Sequence, residues 1–145
     1  MVMKVLHDRF AGALPVAVSG TSPQRRIKGT VGVDLPETPS GSPTWPLDVF
    51  AALSGDRSKI AISVVNPTET SQECVLNLSG VRASGPAKLW RLTAPEGAPT
   101  TPGPGQSPFG FGPPVRAAEE TLSEAPRVVT VPAASLTVFE FAVRP

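Results

Sequence analysis

A catalytic or metal-dependent site needs a few residue types gathered in one place, and this sequence spreads those types thinly. It contains one histidine, His7, and one cysteine, Cys74. Metal ions are held by clusters of such ligands, so neither residue alone implies a metal centre. His7 reads as a surface or interface residue of a short helix, and Cys74, alternating with Leu76 and Leu78, as a small core residue. A Ser-His-Asp arrangement would have to recruit that same His7. Gly103-Pro104-Gly105 and Gly110-Phe111-Gly112 lack the spacing of a phosphate-binding loop, and no helical pattern follows them. No metal site and no cofactor site is expected.

Two convergent carboxylates would suffice for general-acid and nucleophilic work. Most acids here stand beside Lys or Arg, in turns, or on alternating polar faces. Glu119 and Glu120 are sequence neighbours whose side chains diverge. Glu140 stands out because its flanks are apolar, and it is expected near an exposed strand end or paired with an Arg. No catalytic residue is assigned. Aromatic platforms for a sugar could come from Trp45, Trp90, Phe109 or Phe111. Trp45 opens an apolar stretch and Trp90 lies within one, which favours core packing for both. Phe109 and Phe111 are expected to anchor a loop, to this fold or to another domain.

Short strands dominate the pattern. Leu14 to Val18 reads as a first strand, followed by an extended connection around Val31 and Val33. Leu47, Val49, Ala51 and Leu53 share one strand face, and Ile60, Ile62 and Val64 share another. A tight turn at Gly55-Asp56 would set Ala51 opposite Ile60, and a four-residue loop would also keep these residues on a common face. The glycine at the first turn position favours the tighter version. Further strands are read at Cys74 to Leu78, Ala87 to Leu92, Val128 to Val131 and Leu136 to Val143. The last places Phe139, Phe141 and Val143 on one face and Leu136, Val138 and Ala142 on the other, so it should be central. Seven or eight short strands without a long helix imply an all-β antiparallel sandwich or jelly roll.

Residues 1–10 are the exception. Val2, Val5, Leu6 and Phe10 fall on one helical stripe, with Gly12 as a stop and no N-cap, like the tail of a longer helix. Residues 13–145 then form one domain, of a length that buries roughly two-thirds of its unfolded surface. Pro and Gly total 18 and 13 residues, concentrated in a long loop at 94–114. The net charge of +1, with no run of basic residues longer than two, argues against nucleic acid or a membrane surface as partner. No apolar run has the length of a membrane span, no signal-peptide pattern follows Met1, and a single cysteine leaves the compartment open.

In order along the chain, four segments resemble the C-terminal region of the α-L-arabinofuranosidases of glycoside hydrolase family 51. They are Val2 to Phe10 running into Leu14-Pro15-Val16, the hairpin ending at Ile60 to Pro67, the strand Val75 to Val81, and the closing strand Val131 to Phe139 with its Pro-x-x-Ser step. The resemblance implies a C-terminal accessory β-sandwich packed on a catalytic (β/α)8 barrel that hydrolyses terminal arabinofuranosyl groups of hemicellulose-type glycans. The family's acid/base glutamate follows an asparagine, whereas Asn66 and Asn77 precede Pro67 and Leu78, so no catalytic residue carries over. Little or no direct sugar binding by this chain is implied. An independent carbohydrate-binding module and an immunoglobulin-like interaction module share the sandwich and stand as alternatives; the helical start favours the accessory domain. The apolar stripe should be docked on the sandwich, buried against another chain or frayed, and together with an unpaired sheet edge it leaves self-association open.

Overall fold

The computed structural model describes residues 2–21, 26–27, 38–39, 42–94 and 115–145. Among these residues one helix, α1 (Val2–Phe10), precedes ten strands: β1 (Leu14–Pro15), β2 (Arg26–Ile27), β3 (Thr38–Pro39), β4 (Asp48–Leu53), β5 (Lys59–Asn66), β6 (Gln72–Val75), β7 (Arg82–Thr93), β8 (Arg116–Leu122), β9 (Val128–Val131) and β10 (Ser135–Arg144). Six form one antiparallel sheet in the order β1-β4-β5-β10-β7-β8; β6 pairs with β9, and β2 with β3. The architecture is sandwich-like and mostly β, as the strand pattern implies. β10 is central, lying between β5 and β7.

The core forms where the inner face of the large sheet meets β9 and β6. Ile60, Ile62 and Val64 of β5, Phe139 and Phe141 of β10, and Ala87 and Leu89 of β7 pack with Val129 and Val131, and half-buried Cys74 lies against them. The expected hairpin face is found: Leu47, Ala51, Ile60, Ile62 and Val64 are buried and Val49 is half-buried. Its loop is the longer version, not the tight turn. Ala51 stands opposite Ile62 and Leu53 opposite Ile60. The Arg57 N–H donates to Ser54 O at 2.8 Å, and Arg57 itself takes the left-handed conformation (φ 59°) that a two-residue turn would have required of Gly55. The Asp56 carboxylate sets this geometry, accepting from Ser54 Oγ at 2.6 Å and from the Ser58 N–H at 3.0 Å.

Other boundaries shift. The first strand pairs only over Leu14–Pro15. β6 ends at Val75, while Leu76 and Leu78 continue to face the core beyond the ladder. β7 starts earlier than the expected Ala87, because a bulge at Gly85-Pro86 lets Ala142 pair with Ser84. β8 is a strand that no alternation announced. Val31, Val33, Phe109, Phe111 and nearly all of the 94–114 loop lie outside the described residues.

Candidate functional site

Among the described residues, ionisable and aromatic side chains converge on the outer face of the large sheet, beneath α1. Register places Phe50, Ser63, Val138 and Trp90 in one row across β4, β5, β10 and β7, and Ala52, Ala61, Glu140 and Lys88 in the next. The helix closes over these rows. Its last turn carries His7 and Arg9, and the Arg9 charge is favourable at a helix C-terminus. Gly12 ends it at φ 70°, with the Ala11 N–H returning to His7 O at 3.0 Å.

Three contacts fasten the helix. The Phe10 ring meets Phe50 edge-on, with centroids 5.2 Å apart. The Arg9 guanidinium lies over Trp90, 4.3 Å from the ring centroid. Arg9 Nε also stands 3.5 Å from Glu140 Oε2, with Lys59 Nζ 3.8 Å from the other carboxylate oxygen. Glu140 is thus paired with an arginine, as anticipated for an acid on an apolar strand. Of the stripe, Phe10 is docked and Val5 and Leu6 are half-buried, while the Val2 side chain lies outside those described; Lys4 and Asp8 pair at 2.7 Å on the exposed side.

This arrangement holds structure together and offers no acid and nucleophile side by side. Glu119 and Glu120, on opposite faces of β8, diverge, and Glu119 stands 3.8 Å from Lys88. Asp56 is bound into its loop, and hydrogen bonding from Ser54 and Ser58 lowers its pKa from 3.8 to about 2. Among the described residues no cluster of His, Cys, Asp and Glu could hold a metal ion. Trp90 is buried under Arg9 and Trp45 is half-buried, so Trp90 offers no open ring face to a sugar.

On the inner side, an open cleft of about 550 Å³ separates β4 and β5 from residues 72–81, lined by side chains such as Val16, Val18, Val49, Cys74, Leu76 and Leu78. Burial pushes the Cys74 thiol pKa up, which keeps it protonated and poorly nucleophilic. Sequence reasoning missed Asn66, which is 1% exposed. Its Nδ2 donates to Thr70 O, Val131 O and Pro132 O at 2.9, 3.1 and 2.9 Å. Its only mark in the sequence is an Asn-Pro step at the end of a strand pattern.

The same fold occurs in glycoside hydrolases of known structure. An arabinose-bound α-L-arabinofuranosidase, MgGH51, shares 21% identity at a TM-score of 0.51, over 75% of this chain and 16% of its own. The α-L-arabinofuranosidase of Thermotoga maritima, in an arabinose complex, shares 21% identity at a TM-score of 0.50, over 86% of this chain and 26% of its own. The chain therefore spans about a quarter or less of these enzymes. No protein-family model and no curated protein matches the sequence. No helix among the described residues is long and apolar enough to cross a membrane.

Proposed function

We propose that this chain is the non-catalytic C-terminal accessory domain of a glycoside hydrolase of the α-L-arabinofuranosidase type. Residues 13–145 are the sandwich and residues 1–12 the end of a helix that leads into it from a catalytic (β/α)8 barrel. The parent enzyme hydrolyses terminal arabinofuranosyl groups in hemicellulose-type glycans. The observation that carries this reading is the seating of α1. The nine-residue helix is held on the sheet by an arginine and a phenylalanine of its final turn. Such a helix is too short to persist unpacked, and a domain joined to it would approach the sheet on the side where α1 lies. The likeness in fold to part of much longer arabinofuranosidases supports the same reading.

Two measurements test it. Residues 1–145 alone should not hydrolyse an aryl α-L-arabinofuranoside, and turnover abolished by replacing one Asp or Glu would overturn the non-catalytic assignment. An antibody against this chain should detect, in its source, a much longer polypeptide that co-purifies with arabinofuranosidase activity. A native polypeptide of this chain's own length, free of any associated hydrolase, would refute the accessory role.

A further inference from the structure

β8 is the outermost strand of the large sheet, and all of its residues except Leu122 are exposed. One side pairs with β7, from Ala87 opposite Leu122 to Thr93 opposite Arg116; among the described residues nothing pairs with the other side. A seven-residue strand without proline presents a row of free N–H and C=O groups on which a further strand can add. Arg116 and Glu120 lie on the same face, two positions either side of Ala118, and neither has an ion-pair partner among the described residues.

We propose that β8 pairs antiparallel with β8 of a second copy of this chain, with Ala118 on the two-fold axis, joining two six-stranded sheets edge to edge. Symmetry selects the register. Residues opposite one another in an antiparallel pair point to the same face, so a two-fold dimer must place one residue on its axis. Centring on Glu119 or Glu120 sets a carboxylate against its own copy, which is unfavourable. Centring on Ala117 strands Glu119 to Leu122 beyond the opposite strand, and centring on Thr121 strands Arg116 to Glu119. Centring on Ala118 sets Arg116 against the partner's Glu120 and, by symmetry, Glu120 against the partner's Arg116. On the other face Glu119 meets the partner's Ala117 and keeps its own Lys88 at 3.8 Å. The axis falls on a methyl side chain, small enough for two copies to meet. This contact is independent of the function proposed above.

Sedimentation velocity on residues 1–145 over a range of concentrations should show a monomer–dimer equilibrium. Arg116→Glu or Glu120→Arg alone should weaken the dimer about tenfold or more, since attraction becomes repulsion at both symmetric pairs. The double reversal should restore it. All these positions are exposed, so far-UV circular dichroism should not change. In a Cys74→Ala background, Ala118→Cys should form a disulfide-linked dimer on mild oxidation and Ala117→Cys should not. A chain that stays monomeric at every concentration would overturn the proposal. So would a dimer indifferent to the single reversals, or one cross-linked as well from position 117 as from 118.

Discussion

The Arg9 guanidinium sits 4.3 Å from the centre of the Trp90 ring while its Nε stands 3.5 Å from Glu140 Oε2, so one side chain of α1 engages two neighbouring strands at once. The Nε contact is close enough for charge attraction but is not aligned as a hydrogen bond. The indole face, the carboxylate and the Phe10–Phe50 contact therefore share the task of holding the helix.

Arg9→Ala should cost about 1–2 kcal/mol, from the lost cation–π contact and the weakened neutralisation of Glu140. Arg9→Lys should recover part of this, since it restores charge without the planar group. Urea unfolding measures the loss. Hydrogen exchange should show amides 2–10 exchanging faster in Arg9→Ala with little change in β5 and β10; protection unchanged across α1 would show that the helix is held by other contacts.

Asn66→Ala should be more costly, about 3 kcal/mol, because it strips hydrogen bonds from carbonyls of Val131 and Pro132 at a buried strand end. Two hydrogens on Nδ2 serve three carbonyls, so one is shared, and Oδ1 accepts from the Thr68 N–H and hydroxyl. Asn66→Asp should be no milder, since it sets a carboxylate oxygen against those carbonyls. Denaturant midpoints of the two variants against the parent chain decide it.

What the sequence discloses follows burial. The hairpin between β4 and β5 could be read because both inner faces are apolar and parity ties them together. Its loop length could not, since the decision rests on the Asp56 carboxylate and not on the glycine before it. β8 escaped notice because Arg116-Ala-Ala-Glu-Glu-Thr-Leu122 buries neither face and so has no alternation to show. Leu76 and Leu78 alternate past the end of β6 because hydrophobic pattern reports contact with the core, not ladder hydrogen bonding. For Glu140, the need for a positive partner was legible. That the partner is Arg9, on a helix at the far end of the chain, depends on how α1 packs, which no local pattern encodes.

The Asp56 loop should leave a signature in acid. Its pKa falls from 3.8 to about 2 on folding, so its contribution to stability is present above pH 4 and is lost as pH drops through 2. Asp56→Asn keeps an acceptor but cannot titrate. Melting temperatures of the two proteins should therefore differ more at pH 7 than at pH 2, the wild type losing more on acidification. Parallel losses in both proteins would mean that other carboxylates govern the acid limb.

Thr137 offers the converse test, a buried polar group whose removal should help. It is fully buried on β10, between Val64 and Arg91 in register, and its Oγ1 has no hydrogen-bond partner. A hydroxyl taken from water without a replacement bond is unfavourable, and valine has nearly the same shape and a better fit to a pleated strand. Thr137→Val should leave the packing against Val64 intact and raise stability by about 1 kcal/mol. Thr137→Ala should instead lower it, through the cavity left by the missing methyl group. Equilibrium unfolding of both variants separates the two contributions. If Thr137→Val is destabilising, the hydroxyl has a partner in solution, such as a buried water shared with Arg91 Nε, which is likewise buried without a hydrogen bond.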